Sequence, residues 1–319
     1  MKFKIALAQI APQLGDQKAN IQKHVQALER AAAAGVQLIV FPELSLTGYT
    51  LKDLTPDMAL DPDVASPLQQ IAAHSGGLSA VVGFVEQAKD FKFYNSVAFL
   101  EDKAVRHVHR KVYLPTYGMF DEKRFFAAGD LVRVADTHFG KLGFLICEDI
   151  WHFSTAYLLA HQGALMIVAS MAGPGRGVRG MDSALGSAVS WEVLTRTVAQ
   201  FNTVYVVAVN RVGFEDGVNF FGGSLLVDPY GNVVARGKTL DEDLVIAEVD
   251  FDLVRRARAQ VPLLRDENIE LTMRELERIS RDRFELPFLE DPKKKSRASK
   301  TKVQINSRRQ KSKRKTGKR

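Results

Sequence analysis

The single cysteine of the chain, Cys147, closes the apolar run Lys141-Leu142-Gly143-Phe144-Leu145-Ile146 and is followed at once by two carboxylates, Glu148 and Asp149. Two other segments place a reactive side chain at the end of an apolar run or beside a proline: Phe41-Pro42-Glu43 and His109-Arg110-Lys111-Val112-Tyr113-Leu114-Pro115. Taken singly, each has an ordinary explanation. A lone cysteine ending an apolar strand is usually an inert buried thiol, a glutamate after proline is usually at the surface, and a lysine near aromatic rings usually lays its stem on them. Together they meet three separate needs of acyl transfer from an amide. The amide carbonyl is a poor electrophile, so its attacker should be a thiolate, formed with the help of a neighbouring base or positive charge. Glu43 can take the thiol proton and return it to the departing amine. Lys111, with the backbone N–H that follows the nucleophile, can hold the tetrahedral oxyanion. A Cys–His dyad is the competing arrangement: His109 and His152 lie nearby in sequence, and spacing alone leaves both open.

The elements that must carry these residues alternate between the two periods of regular structure. Lys4 to Ile10 is predicted as an apolar strand, Asn20 to Ala34 as a helix with Ile21, Val25, Leu28 and Ala32 on one face and Gly35 ending it, and Val36 to Phe41 as a second buried strand stopped by Pro42. Further strands are expected at Leu78 to Val85, Ser96 to Leu100, Lys141 to Cys147, Leu165 to Ala169 and Val204 to Asn210, with helices at Ser154 to His161 and Asp182 to Phe201. Later, Asp228-Pro229-Tyr230-Gly231-Asn232 sits between two β-rich arms within Gly222 to Arg236 and signals a hairpin, followed by a strand at Val245 to Val249 and a short basic helix at Leu253 to Ala259. Gly222-Gly223-Ser224 precedes a strand rather than a helix, so it is expected to be a bend near the pocket mouth, not a phosphate loop. Asp149 is expected either to orient a main-chain group or to cap a helix. The mixture is α/β throughout and reads as one domain over residues 1–291, with a core of about 4–250 and a C-terminal arm of about 251–291. Reactive groups at strand ends suit such a fold, because strand ends are where α/β proteins expose their sites.

The chain has 319 residues and a net charge of +7, which on its own would suggest contact with a polyanion. The charge is concentrated at one end. Residues 292–319 hold 14 of the 44 lysines and arginines and none of the 37 acidic residues, so the rest of the chain is acidic, with a net charge of −7. That basic tail has too few apolar residues to offset the entropy of ordering and is expected to be disordered, with weak, salt-sensitive polyanion or RNA binding as its functional alternative. Neither a signal-peptide pattern nor an apolar stretch of membrane-spanning length is present, and a single cysteine suits a reducing compartment, so a cytoplasmic location with no membrane contact is expected. One thiol cannot build a thiolate metal cluster, and the sequence implies no metal and no cofactor.

The ordered set Phe-Pro-Glu, Arg-Lys-x-x-Leu-Pro and Cys-Glu-Asp closely resembles the nitrilase, or carbon–nitrogen hydrolase, superfamily, from about Lys4 to Val249. Within it, Gly48-Tyr49, the run Leu114 to Phe126 and Cys147-Glu148-Asp149-Ile150-Trp151 look most like the glutaminase domain of glutamine-dependent NAD synthetases. The resemblance implies a four-layer α-β-β-α sandwich that pairs through a helical face into a homodimer or higher homo-oligomer. It also implies Glu43 as general base, Lys111 as oxyanion partner, Cys147 as nucleophile and Glu122 as a supporting glutamate that holds the lysine and the substrate. By the same resemblance Tyr49, Tyr117, Glu148, Trp151, Ser170 and Arg176 line the substrate pocket, with Arg176 meeting a carboxylate and Glu148 an amine. The segment before Arg176 departs from the family's usual serine-rich run. Nothing after residue 250 resembles an ATP-dependent synthetase domain, so NAD synthesis by this polypeptide is not expected.

The expected activity is therefore hydrolysis of a small linear amide, with a glutamine-like ω-amide as one candidate, through a thioester that releases ammonia. An N-carbamoyl hydrolase or a nitrilase using the same residues is the alternative within this chemistry. A polyanion-binding protein acting through its tail is the alternative from another class.

Overall fold

The computed structural model describes residues 1–64, 67–179 and 184–284. The basic segment 292–319, the end of the expected arm and the expected start of the helix at Asp182 lie outside them. Two compact units are present, Met1–Arg265 and one beginning at Asp266.

The first unit is built on two six-stranded sheets. Its strands are β1 (Lys2–Gln9), β2 (Leu38–Val40), β3 (Ser79–Gln87), β4 (Phe93–Glu101), β5 (Ala104–Arg110), β6 (Val134–Thr137), β7 (Gly140–Ile146), β8 (Met166–Met171), the short β9 (Val178–Arg179) and β10 (Ala184–Leu185), β11 (Tyr205–Asn210), β12 (Val212–Glu215), β13 (Val218–Phe221), β14 (Leu225–Val227), β15 (Val233–Arg236) and β16 (Asp243–Asp250). One sheet runs β16-β1-β2-β3-β4-β5 and the other β15-β14-β11-β8-β7-β6; β12–β13 and β9–β10 are separate hairpin-like pairs. The helices are α1 (Gln17–Ala33), α2 (Thr55–Met58), α3 (Pro67–His74), α4 (Glu122–Phe125), α5 (Phe153–His161), α6 (Gly186–Asn202), α7 (Asp252–Gln260), α8 (Leu263–Asp266) and, in the second unit, α9 (Ile269–Phe284).

Strand alternation creates the layers. On β1, Ile5 and Leu7 enter one core with Val40, Val81 and Phe99 from their own sheet and Phe144, Val168 and Val207 from the other, so this core lies between the sheets. Ala6 and Ala8, the intervening residues, join Ala27, Leu28 and Ala31 of α1 and Leu68 and Ile71 of α3 in a second core. Helices α5 and α6 cover the outer face of the second sheet through Ala156, Leu159, Val198 and Ala199. The result is the expected four-layer α-β-β-α sandwich. Each fully buried Leu or Ile in it contributes about 1.5–3 kcal/mol.

Helix α1 starts where Asp16 accepts the N–H of Ala19 at 2.9 Å, and Gly35, at φ +69°, ends it. Its buried face differs from the expected stripe: Asn20, His24, Ala27, Leu28 and Ala31 point inward, while Ala32 is exposed. The rotation brings two polar side chains inside because both find partners there. Asn20 bonds to Gln13 and to the carbonyl of Leu46, and His24 bonds to the Asn20 carbonyl and to Ser45 Oγ.

The hairpin at Gly222 to Arg236 is present as β14–β15. Gly222 and Gly223, just before β14, both lie in the left-handed region at φ +69° and +62°, and a Cβ on Gly222 would lie 2.5 Å from the Gln9 side-chain nitrogen. The compact unit extends past residue 250 because α7 buries Val254 and Ala257. Of the basic residues on α7, Arg255 and Arg256 both pair with Asp252, and Arg258 donates to the carbonyl of Ala164 at 2.6 Å.

Candidate active site

Three strand ends deliver the three expected residues. Glu43 follows β2, Lys111 follows β5 in the same sheet, and Cys147 follows β7 in the other sheet. The junction between the sheets is tied at this point: Ser170 Oγ of β8 donates to the carbonyl of Phe41 at 2.8 Å. Gly83 of β3 makes room for the turn that carries Glu43, since a Cβ there would lie 2.3 Å from the Pro42 carbonyl oxygen.

Lys111 is buried, and its Nζ lies 2.7 Å from Glu43 Oε1 and 2.6 Å from Glu122 Oε1. Asn95 Nδ2 donates to the same oxygen of Glu43 at 2.7 Å, and the Tyr49 hydroxyl donates to Glu122 Oε1 at 2.5 Å. The second oxygen of each glutamate, Oε2, is buried without a partner among the described residues. Burial would depress the Lys111 ammonium, but the negative charges of Glu122 and Glu43 outweigh it and hold the lysine well above its ordinary value. Glu122 is raised to about 7, chiefly by burial, with Lys111 opposing the shift and the Glu43 charge adding to it.

Cys147 opens a 3-10 turn, Cys147–Trp151, in the left-handed region at φ +43°, a strained conformation for a residue with a Cβ. Only 7% of the residue is exposed. Burial first, then the Glu43 charge, push its thiol well above the ordinary value, while Lys111 and a backbone hydrogen bond at Ala172 pull the other way. The balance favours the protonated sulfur, which suits the neighbouring base that the sequence predicts for it.

The expected pocket residues divide into two groups. Tyr117 donates to Glu148 Oε2 at 2.7 Å, and the Arg176 guanidinium lies 5.8 Å from the Phe120 ring, which meets Tyr117 and Tyr49 edge-on at 5.7 and 6.3 Å. Phe120 therefore links Tyr49, Tyr117 and Arg176 into one wall. Trp151 packs edge-on against Trp191, and Ser170 is wholly buried with its hydroxyl used on Phe41. The His109 ring faces Asp149 rather than entering a dyad with Cys147.

Sequence reasoning missed two supports. Asn95 lies mid-strand in β4 and carries no motif. Glu215 accepts the backbone N–H groups of Tyr49 and Thr50 at 2.9 and 2.6 Å and pairs with buried Arg211 at 2.5 Å, fixing the segment that carries Tyr49. Its distance of 166 residues from Tyr49 leaves no local signal.

Comparison with known proteins shows the family of the chain. The family model described as carbon-nitrogen hydrolase matches residues 4–259. The chain is 33% identical over 255 residues to the glutamine-dependent NAD(+) synthetase of Thermotoga maritima, covering 79% of this chain and 42% of that one, so it spans under half of that relative. It is 30% identical to a nitrilase of Pyrococcus abyssi, covering 80% of this chain and 92% of the other. A carbon-nitrogen hydrolase structure from Helicobacter pylori superposes with a TM-score of 0.76 at 25% identity, covering 87% of this chain and 99% of that one. With its sandwich fold, a match over residues 4–259 and a full-length relative at 30% identity, the chain belongs to the carbon–nitrogen hydrolase family.

Proposed function

We propose that the chain hydrolyses a small linear amide, with a glutamine-like ω-amide as its substrate class, through a thioester on Cys147. The observation that carries this reading is the buried Glu43–Lys111–Glu122 cluster, in which Glu43 keeps one oxygen without a hydrogen-bond partner among the described residues. Glu43 Oε2 takes the Cys147 proton as Sγ bonds to the amide carbon, and the carbonyl electron pair moves onto oxygen. An ammonium has three N–H donors. Two of those on Lys111 serve Glu43 and Glu122, leaving the third for the oxyanion together with the backbone N–H of Glu148. As the C–N bond breaks, the proton held by Glu43 leaves with ammonia. Water then gives a proton to Glu43 and adds to the thioester, the C–S bond breaks, and the thiolate recovers that proton.

Two observations favour an amino-acid-like amide: Tyr117 holds Glu148 beside the nucleophile, where it can meet an amine, and Arg176 stands on the same wall, where it can meet a carboxylate. The name of the Thermotoga maritima relative points to glutamine as well. The test is ammonia release from a panel of amides, carbamoyl compounds and nitriles, with mass analysis of the acyl adduct on the enzyme. Cys147→Ala and Cys147→Ser should abolish turnover, and full activity in the alanine variant would refute the mechanism. Carbon dioxide appearing with the ammonia would move the substrate class to N-carbamoyl compounds.

A further inference from the structure

Asp149 is completely buried two residues beyond Cys147, and both of its oxygens are fully used. Oδ1 accepts the backbone N–H groups of Val112 and Tyr113, each at 2.9 Å. Oδ2 accepts the N–H of Ile146 at 3.0 Å and lies 3.0 Å from Nε2 of buried His109. Facing a carboxylate oxygen, that imidazole nitrogen is the donor. Capping the short turn after Cys147 requires only the bond to Ile146. The other three come from residues 36 to 40 positions away, on the segment that carries Lys111. Val112 and Tyr113 follow Lys111 directly and Ile146 precedes Cys147, so one carboxylate joins the backbones on either side of the chemistry, across the two sheets.

We propose that Asp149, oriented by His109, is a positioning residue that fixes the separation of Lys111 and Cys147 and holds the nucleophile in its strained conformation. The inference rests on Cys147 being the nucleophile. A fixed separation matters because a displacement of about 1 Å can cost about 100-fold in rate. It also sets how strongly the ammonium favours the ionised sulfur, so loosening it should move thiol reactivity to higher pH.

Asparagine cannot substitute for Asp149. Its NH2 would face the Val112 and Tyr113 N–H groups in one orientation and the Ile146 N–H in the other, a donor against donors either way. His109→Leu removes one donor and keeps the backbone bonds, whereas His109→Gln can restore a nitrogen donor at a similar reach.

The chain has one cysteine, so iodoacetamide alkylation of the full-length protein reports on Cys147 alone. The expected result is that Asp149→Asn and His109→Leu slow alkylation at neutral pH by about tenfold or more and shift its pH profile to the alkaline side. In both, kcat on the best amide of the panel should fall, by about 100-fold in Asp149→Asn, with KM within about threefold, and His109→Gln should recover most of the loss. The proposal is overturned if folded His109→Leu keeps the wild-type alkylation profile and kcat, or if activity falls only in proportion to the folded fraction. Should alkylation of the wild type leave turnover intact, the nucleophile itself is misassigned and the inference falls with it. Loss of turnover on alkylation with unchanged variants rejects the positioning role alone.

Discussion

Lys111 and Glu43 meet through one oxygen only: Nζ lies 2.7 Å from Oε1, while Oε2 accepts no hydrogen bond from the described residues. In the proposed mechanism the asymmetry separates two tasks within one carboxylate, with one oxygen anchoring it and the other left to move a proton. Asn95 adds a second anchor on the same oxygen.

Asn95→Ala should therefore lower kcat by about tenfold, the scale of a lost hydrogen bond to a charged group, with KM nearly unchanged. Steady-state kinetics on an amide substrate read this directly. An unchanged kcat would show that Lys111 alone holds the base.

Glu122 carries a stability signature with a defined sign. Its carboxyl rises from 4.5 to about 7 in the folded protein, first because it is buried. The folded state binds that proton more tightly than the unfolded chain. Its stabilising contribution is thus complete below pH 4.5 and is lost as pH rises through about 7. Urea titrations across this range should show wild type losing stability relative to Glu122→Gln, which cannot titrate. Parallel curves would contradict the assignment.

His24 has the opposite sign. Burial lowers it from 6.5 to about 4, so the folded protein keeps a neutral ring between the Asn20 carbonyl and Ser45. Its contribution is present above pH 6.5 and is lost as pH falls through about 4, a span of about 3 kcal/mol. Relative to His24→Gln, the wild type should become progressively less stable over this acid range, as measured by chemical denaturation.

Ser170 and Arg176 separate cleanly by experiment. Ser170→Ala should cost about 1 kcal/mol of stability, the size of one hydrogen bond, and leave KM alone, since the hydroxyl is used on Phe41. Arg176→Ala should raise KM about tenfold for a carboxylate-bearing amide and not for a neutral amide of similar size, on the scale of a lost charge-assisted contact. Equal effects on both amides would remove Arg176 from carboxylate recognition.

What could be read from the sequence follows the range of the interaction concerned. Strands betray themselves through local apolar runs, which is why the β1, β2, β7, β8 and β11 segments and the strand ends bearing Glu43, Lys111 and Cys147 were visible. The α1 stripe was misplaced by about one residue because a hydrophobic pattern cannot show that Asn20 and His24 would be satisfied inside. Asn95 and Glu215 act only through partners 52 and 166 residues away. Asp149 was legible as an orienting or capping residue, but its three distant donors were not. Ser170 matched a family position, yet its hydroxyl is committed to the joint between the sheets.

The pairing of β1 with β16, in which Lys2 lies opposite Asp250, bears on how the protein is made. Once made, β1 cannot gain its antiparallel neighbour until some 240 further residues have been added, which at about 5–20 residues per second takes roughly 12 to 48 s. Throughout that interval one edge of β1 exposes unpaired N–H and C=O groups to the cell. Nascent chains stalled before residue 243 should thus be the species most dependent on chaperones, and the last to resist protease.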